Sequence, residues 1–247
     1  MITELLEDQI LSEPDPVTGL PIGPKVTRNA ANLAPKRIVL QGQYCRLEPI
    51  DVDQHSRDLF NASTSGDAQS RFQYLPEPPP ASLEAMRGWT TTAAQSTDPL
   101  FFAVIDNATG RVGGRQSLLN IAPAHKSVEI GHIYWGPDIA GTRIATEANY
   151  LFATYVFETL RYNRYEWKCN ALNMPSRKAA LRFGFTYEGH FRRALIVRGR
   201  IRDTSWFSII SDEWPRLKAA YDQWLDASNF DENGLQKIRL SDMTASS

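Results

Sequence analysis

Hydrophobic and polar positions fall along this chain in blocks of two distinct periods, two for strands and about three to four for helices. Tyr44 to Leu47 reads as a first strand, and a helix opens near Asp51 or Asp53 and runs to about Ser63. The stretch Arg71-Phe-Gln-Tyr-Leu-Pro76 and the triple proline at 78–80 interrupt any helix. A second one resumes from Ser82, with Leu83, Met86, Trp89 and Ala93 on one side. Leu100 to Asp106, Arg111 to Asn120 and Val128 to Trp135 predict an antiparallel meander whose first turn is Asn107-Ala-Thr-Gly110. In its third strand, strict alternation puts Glu129, Gly131, Ile133 and Trp135 on one face and Ile130, His132 and Tyr134 on the other.

The segment Gly136-Pro-Asp-Ile-Ala-Gly-Thr142 breaks that strand. From Thr142 the pattern turns helical, with Ile144, Ala148, Leu151, Phe152, Tyr155 and Val156 spaced by threes and fours. Tyr165 to Cys169 is again strand-like and leads into a short helix, Met174 to Phe183. Asn173 is its N-cap, Pro175 stands where a missing donor costs nothing, and Gly184 stops it. A hairpin, Phe191 to Val197 and Arg200 to Ile210, turns at Arg198-Gly199, and a last helix spans Trp214 to Asp226. The ends read differently. Residues 1–40 form a proline-rich arm in which Ile2, Leu5, Leu6 and Ile10 suggest a helix. Prolines at 14, 16, 21, 24 and 35 are expected to prevent any regular element after it. Residues 228–247 read as a polar tail that frays, leaving 41–227 as the folded domain.

Composition narrows the class. The 247 residues are 42% hydrophobic and 22% charged, which suits a globular protein with a real core. No apolar run reaches the ~20 residues of a membrane helix, and the first residues are acidic, so a cytoplasmic protein is expected. Two distant cysteines, Cys45 and Cys169, offer neither a disulfide framework nor a cysteine metal site, and no metal is expected. The net charge of −1 hides an asymmetry. Residues 161–203 carry nine arginines and two lysines against Glu166, Glu188 and Asp203, a surplus of +8. Such a block is a solvated face, a site for an anionic ligand, or a nucleic-acid surface interleaved with Tyr162, Tyr165, Trp167 and Phe191.

Three places could carry chemistry. Glu129 opens an otherwise apolar strand, where partial burial would raise its pKa toward that of a general base; His132 is a second candidate. The glycine-containing turn into the helix at Thr142 offers backbone N–H groups and the positive end of a helix dipole, a geometry suited to pyrophosphate. Phe72 and Tyr74, in the loop between the first two helices, are either exposed substrate contacts or packing residues.

Taken together, Glu129-Ile-Gly-His132, Gly141-Thr-Arg-Ile-Ala-Thr-Glu-Ala148 and Asn173-x-x-Ser176 leading to Phe183-Gly-Phe-Thr-Tyr-Glu-Gly189 resemble the GNAT acetyltransferase superfamily, in its RimJ/RimL-like branch. The resemblance covers about Tyr44 to Leu225. A weaker likeness, through Arg202-Asp203 and Trp206, is to acetyltransferases that detoxify microcin C-type aminoacyl nucleotides. The resemblance implies an α+β fold, a mixed and mostly antiparallel central sheet flanked by helices. It implies acetyl-CoA as cosubstrate and acetyl transfer, by direct attack, to a primary amine: a small-molecule α-amino group or a protein N-terminus, by a monomer or homodimer. Its implied cofactor residues are Gly141, Thr142, Arg143, Ile144, Ala145 and Thr146 for the pyrophosphate, Ile133, Trp135 and Asn173 along the pantetheine, and Arg177 and Lys178 as phosphate partners. Glu129 would be the base, and Phe72 and Tyr74 would meet substrate. Where the family's phosphate loop usually has glycine this chain has Arg143, and where many members have a tyrosine acid it has Ala180. In the branch it resembles, that role falls to Ser176 beside the thioester sulfur. The readings outside this resemblance are an RNA-binding module built on the basic block and a CoA-binding protein without turnover.

Overall fold

The computed structural model describes residues 11–26, 33–232 and 234–245. They fall in two compact units, divided after residue 31. The helix expected over residues 2–10 lies outside the described residues. In the first unit the prolines do not exclude regular structure: β1 (Glu13–Pro14) pairs antiparallel with β2 (Pro21–Ile22). A two-residue ladder tolerates proline because few donors are needed. The Asp15 carboxylate closes the turn by accepting from Val17 N at 2.9 Å and Thr18 N at 2.7 Å.

The second unit is built on one eight-stranded sheet. In chain order its elements are β3 (Leu40–Gln41), β4 (Cys45–Pro49), α1 (Val52–Thr64), α2 (Ala68–Arg71), α3 (Leu83–Gln95), β5 (Leu100–Asp106), β6 (Val112–Ala122), β7 (Ser127–Trp135), α4 (Arg143–Thr154), β8 (Arg164–Asn170), α5 (Met174–Arg182), β9 (Thr186–Val197), β10 (Arg200–Ile210), α6 (Trp214–Leu225) and α7 (Leu240–Thr244). The spatial order is β3-β4-β5-β6-β7-β8-β10-β9, antiparallel throughout except for the parallel pair β7 and β8. Such a pair needs a crossover, and α4 supplies it. The expected mixed, mostly antiparallel sheet flanked by helices is therefore what the chain forms.

Helix starts follow their caps. Asp51 accepts from Asp53 N and Gln54 N, Ser82 from Ala85 N, Thr142 from Ile144 N and Asn173 from Ser176 N. The sheet is covered on both faces, which is why β5 reads as an unbroken apolar run. On one face Phe101, Ala103 and Ile105 pack with Leu59, Met86 and Ala93 of α1 and α3. On the other, Phe102 and Val104 join Phe152 of α4, Phe183 beside α5, and Leu217 and Tyr221 of α6.

Two departures from the sequence expectation shape the site. First, β7 does not alternate strictly. Its register to β6 steps from Ser117↔Gly131 to Arg115↔Tyr134, one residue more on β7 than on β6, and His132 at this bulge has φ +49°. The bulge reverses the phase beyond it. Glu129 shares the Lys168 side of the sheet and His132 meets Phe101, whereas Ile130, Ile133 and Trp135 belong to the opposite core. The grouping of Glu129 with Ile133 and Trp135, and of Ile130 with His132 and Tyr134, is thereby corrected. Second, the C-terminal segment does not fray. Leu240 is fully buried, Trp224 Nε1 donates to Gln236 Oε1 at 2.9 Å, and Thr244 Oγ1 donates to Arg182 O at 3.1 Å. Asn229 replaces a ladder by accepting from Ile238 N at 3.0 Å and donating to Trp224 O at 3.1 Å. The segment is thus pinned at Asn229, Gln236, Leu240 and Thr244, while the described residues between 231 and 239 remain exposed.

One buried carboxylate joins the sheet to α4. Glu147 accepts from the backbone N–H of Gln43 at 2.8 Å, Tyr44 at 2.7 Å and Cys45 at 2.6 Å. Gly42 is obligatory there, since a Cβ would stand 2.6 Å from the Glu147 carboxyl carbon and 2.8 Å from Cys45 O. Glu147→Ala strands three donors in the turn between β3 and β4 and is expected to cost about 3–5 kcal/mol in urea unfolding, with Glu147→Gln costing less. A loss below about 1 kcal/mol would show that water replaces the carboxylate.

Candidate active site

The parallel pair β7 and β8 is hydrogen-bonded only from Ser127↔Arg164 to Ile130↔Trp167. Beyond that rung the strands part, and a cleft of about 1580 Å³ opens between Gly131–Trp135 on one side and Lys168–Asn170 on the other. A peptide-like chain entering the gap would find two strand edges with free hydrogen-bonding groups.

One end of the cleft is the N-terminus of α4. Gly141 turns the chain at φ +77°, a conformation that favours glycine. The first-turn N–H groups have no carbonyl a turn earlier; the Thr142 hydroxyl takes that of Ile144 at 3.2 Å, leaving those of Arg143 and Ala145. Positive side chains gather beside them. The Arg143 guanidinium lies 4.6 Å from both the Tyr44 and Phe230 ring centres, and Arg182 donates to Thr146 Oγ1 at 3.1 Å and lies over Trp224 at 4.9 Å. Lys237 and Arg239 of the C-terminal segment complete this wall. Arg177 and Lys178, expected here, do not line the cleft. Helical spacing brings Ser176, Ala179, Arg182 and Phe183 to one face, while Arg177 turns toward Ala171 O, Met174 Sδ and the Tyr187 ring. Arg182 is the basic residue of α5 that lines the cleft, and the helical period of α5 carries that signal.

At the middle, Asn173 spends its Oδ1 on the Ser176 N–H at 3.1 Å, so Nδ2 is its remaining donor. Trp167 Nε1 donates to Ser176 Oγ at 3.0 Å. Because an indole only donates, Ser176 is the acceptor in that bond and its own proton is free for another atom. The Cys169 thiol stands next to it: burial pushes this thiol up, and the hydrogen bond with Ser176 opposes that. Ile133 and Trp135 line the cleft and pack against the core, Trp135 edge-on to Phe183 at 5.9 Å.

The other end holds Glu129, 6% exposed. Its Oε2 receives Lys168 Nζ at 2.9 Å and Asn120 Nδ2 at 2.7 Å, and Lys168 also reaches Glu166 at 2.8 Å and lies over the Trp206 ring at 3.9 Å. Burial raises the Glu129 carboxyl above the ordinary value; the Lys168 charge and the hydrogen bonds from Lys168 and Asn120 hold it back, and Glu166 adds repulsion. Burial and then the Arg115 charge lower His132. Alternation along β8 puts Lys168 and Glu166 opposite Trp167 and Cys169, so Lys168 was legible in the sequence as a neighbour of Glu129; the Trp167–Ser176 contact has no such signal. Tyr74 lines the cleft with Arg71, Leu75 and Pro76. Phe72 does not. It is 2% exposed and packs against Tyr134, with the ring centres 4.5 Å apart and the planes tilted by 36°, so it is a packing residue. Arg198 Nη2 holds this loop by donating to Phe72 O at 3.1 Å and Gln73 O at 2.6 Å.

The basic block is not one surface. Arg164 pairs with Glu166 and Glu188, Arg198 bonds loop carbonyls, and only Lys168, Arg182 and Arg202 of the block line the cleft. Tyr162, Tyr165 and Trp167 are buried in the core, and Phe191 is stacked on Trp206 at 4.5 Å. Three of the four rings that an RNA surface needs are therefore inaccessible, and only Phe191 keeps an exposed face.

A family model described as an acetyltransferase (GNAT) domain matches residues 45–186. Among solved structures, a GCN5-related N-acetyltransferase from Brucella melitensis is 51% identical, with TM-score 0.85, over 86% of this chain and 96% of that one. A probable acetyltransferase of the GNAT family from Chromobacterium violaceum ATCC 12472 is 31% identical, with TM-score 0.73, over 79% of this chain and 98% of that one. A Bacillus subtilis (strain 168) protein named "Putative ribosomal N-acetyltransferase YdaF" is 35% identical over 106 residues, 42% of this chain. That match spans 57% of the curated relative's length. Among the described residues, no helix is long and apolar enough to cross a membrane.

Removing the Lys168 charge removes the largest influence that opposes burial at Glu129. In Lys168→Met the Glu129 carboxyl is therefore expected to titrate at higher pH than in the parent, followed by carbon NMR of labelled glutamate. An unchanged or lowered titration would contradict the pairing.

Proposed function

The chain belongs to the GNAT acetyltransferase family, a family of acyl-transfer enzymes with a RimJ/RimL-like branch that its motifs resemble, and from that premise we propose that it transfers an acetyl group from acetyl-CoA to a primary amine. The observation that carries this reading is the parting of β7 and β8 into a cleft with a basic helix N-terminus at one end and a buried carboxylate at the other. The residues present fit the cosubstrate. The amides of Arg143 and Ala145, with Arg182 and Lys237 nearby, suit a pyrophosphate, and the parted strand edges and Asn173 suit the amides of pantetheine. Acetyl-CoA supplies an activated acetyl group there; the protein positions it and manages protons.

Glu129 takes a proton from the acceptor ammonium, through water, so that the neutral amine can attack the acetyl carbon directly. Backbone N–H groups of β7 between Ile133 and Trp135 stabilise the charge that develops on the carbonyl oxygen. As the new C–N bond forms and the C–S bond breaks, Ser176, oriented by Trp167, donates its hydrogen bond to the departing sulfur. Ala180 is fully buried and has no group to contribute. The acceptor is a small-molecule α-amino group or a protein N-terminus; the name of the Bacillus relative makes ribosomal N-terminal peptides part of the panel to test.

The reading is tested by melting with acetyl-CoA and by thiol release across amino acids, aminoacyl nucleotides, polyamines and N-terminal peptides. Acetyl-CoA is expected to raise the melting temperature and at least one amine to release free thiol; neither response would overturn it. Glu129→Gln is expected to lower kcat about 10²-fold and to abolish an acid limb of the pH–rate profile lying above pH 4.5, the ordinary glutamate value. An unchanged profile would remove Glu129 from the role of base. Ser176→Ala is expected to lower kcat about tenfold with acetyl-CoA binding retained. Arg182→Ala is expected to weaken acetyl-CoA binding about tenfold by calorimetry, while an Arg177→Ala, Lys178→Ala double variant stays within about twofold. The reverse order would return the phosphate contact to the residues outside the cleft.

A further inference from the structure

Proposed acetyl transfer leaves one charged group of the cleft without a task. Arg202, on β10 opposite Leu195 of β9, lines the cleft together with Glu129, His132, Lys168 and Cys169. Its Nε is buried and has no hydrogen-bond partner, and among the described residues no carboxylate stands within ion-pairing distance of it. The neighbouring acids are already engaged. Glu129 holds Lys168 and Asn120, Glu166 holds Lys168 and Arg164, Glu188 holds Arg164, and the Asp203 carboxylate accepts from Arg193 N at 2.6 Å.

A guanidinium nitrogen withdrawn from water without an acceptor is costly, and the cost is recovered when a ligand brings an anion to it. That anion does not come from the phosphates of the cosubstrate, which have their own basic wall at the N-terminus of α4, beside Arg143, Arg182 and Lys237. Arg202 stands instead with Glu129, where the acceptor nitrogen must lose its proton. Arg71, held on Trp135 O at 3.2 Å, adds a second positive charge to the lining.

We propose that Arg202 determines acceptor specificity by binding an anionic group, a carboxylate or a phosphate, carried by the acceptor close to its reacting amine. This deepens the acetyl-transfer reading and rests on it for the identity of the acceptor. An acceptor with an ammonium and an anion then meets Glu129 with one and Arg202 with the other, and is held in a single orientation by opposite charges.

The test uses matched amines that differ in the anion alone: serine and serinamide, O-phosphoethanolamine and ethanolamine, and peptides beginning Ser-Asp and Ser-Asn. The three pairs separate an α-carboxylate, a phosphate and an acidic side chain as the source. The wild-type protein is expected to prefer the anionic member of at least one pair about tenfold or more in kcat/KM, through KM. Arg202→Gln is expected to lose the preference and Arg202→Lys to keep part of it, with stabilisation by acetyl-CoA confirming that both variants are folded. Equal use of both members of every pair, or a preference that survives in Arg202→Gln, would overturn the proposal. If no amine is acetylated, the acetyl-transfer reading fails by itself. Melting then decides the anion site: N-acetylserine should stabilise the wild type more than N-acetylserinamide and lose that advantage in Arg202→Gln, and the absence of this difference overturns the site as well.

Discussion

The site depends on where one parallel strand pair stops pairing. β7 and β8 share four rungs, from Ser127↔Arg164 to Ile130↔Trp167, and then separate. Because the pair is parallel, both strands open in the same direction, and whatever follows each of them is delivered to the same mouth. After β7 comes the Gly141 turn and the N-terminus of α4; after β8 comes Asn173 and α5. Two helix starts therefore converge on one gap, with Glu129 on the last rung but one of the paired strands and Ser176 in the first turn of the second helix. The β-bulge at His132 completes the arrangement, since it keeps Ile133 and Trp135 toward the core while His132 joins the side of Glu129.

Burial of charge in this region is managed by chains of opposite sign. Glu129, Lys168, Glu166, Arg164 and Glu188 alternate across β7, β8 and β9, each cation shared between two carboxylates. Sharing lowers the cost of withdrawing these groups from water, and it leaves the Glu129 carboxyl raised by burial yet still paired. Arg115, buried over Trp89 at 4.0 Å, is neutralised by Glu77 alone, from the loop before α3. Arg202 lines the cleft with a buried, unpartnered Nε and, unlike Arg115, with no carboxylate paired to it among the described residues.

The sequence made the order of elements legible because each helix announces its cap and each strand its period. Asp51, Ser82, Thr142 and Asn173 all cap as their types suggest, and Leu100 to Asp106 is a strand to the residue. Glu129 was legible as a candidate because a carboxylate in an apolar strand is a local feature, whereas Ser176 became one only through the family resemblance. The misassignments concern contacts set by distant chain. No local pattern announces the extra residue in β7, which depends on the β6 register. Nothing in Phe72 itself says that Tyr134 covers it, and nothing in the polar composition of residues 228–245 says that Asn229, Gln236 and Leu240 pack against α6. Which basic residue of α5 lines the cleft, Arg182 rather than Arg177 or Lys178, lies between these cases. Helical periodicity decides it once Ser176 is taken as the reference face.

The central claim is that the parted strands seat the reactive end of the cosubstrate against Ser176. A crystal structure of the protein grown with coenzyme A tests it most directly. The thiol is expected between β7 and β8, with sulfur within hydrogen-bonding distance of Ser176 Oγ and the pyrophosphate at the amides of Arg143 and Ala145. Coenzyme A bound elsewhere, or seated in the cleft with its sulfur away from Ser176, would contradict it.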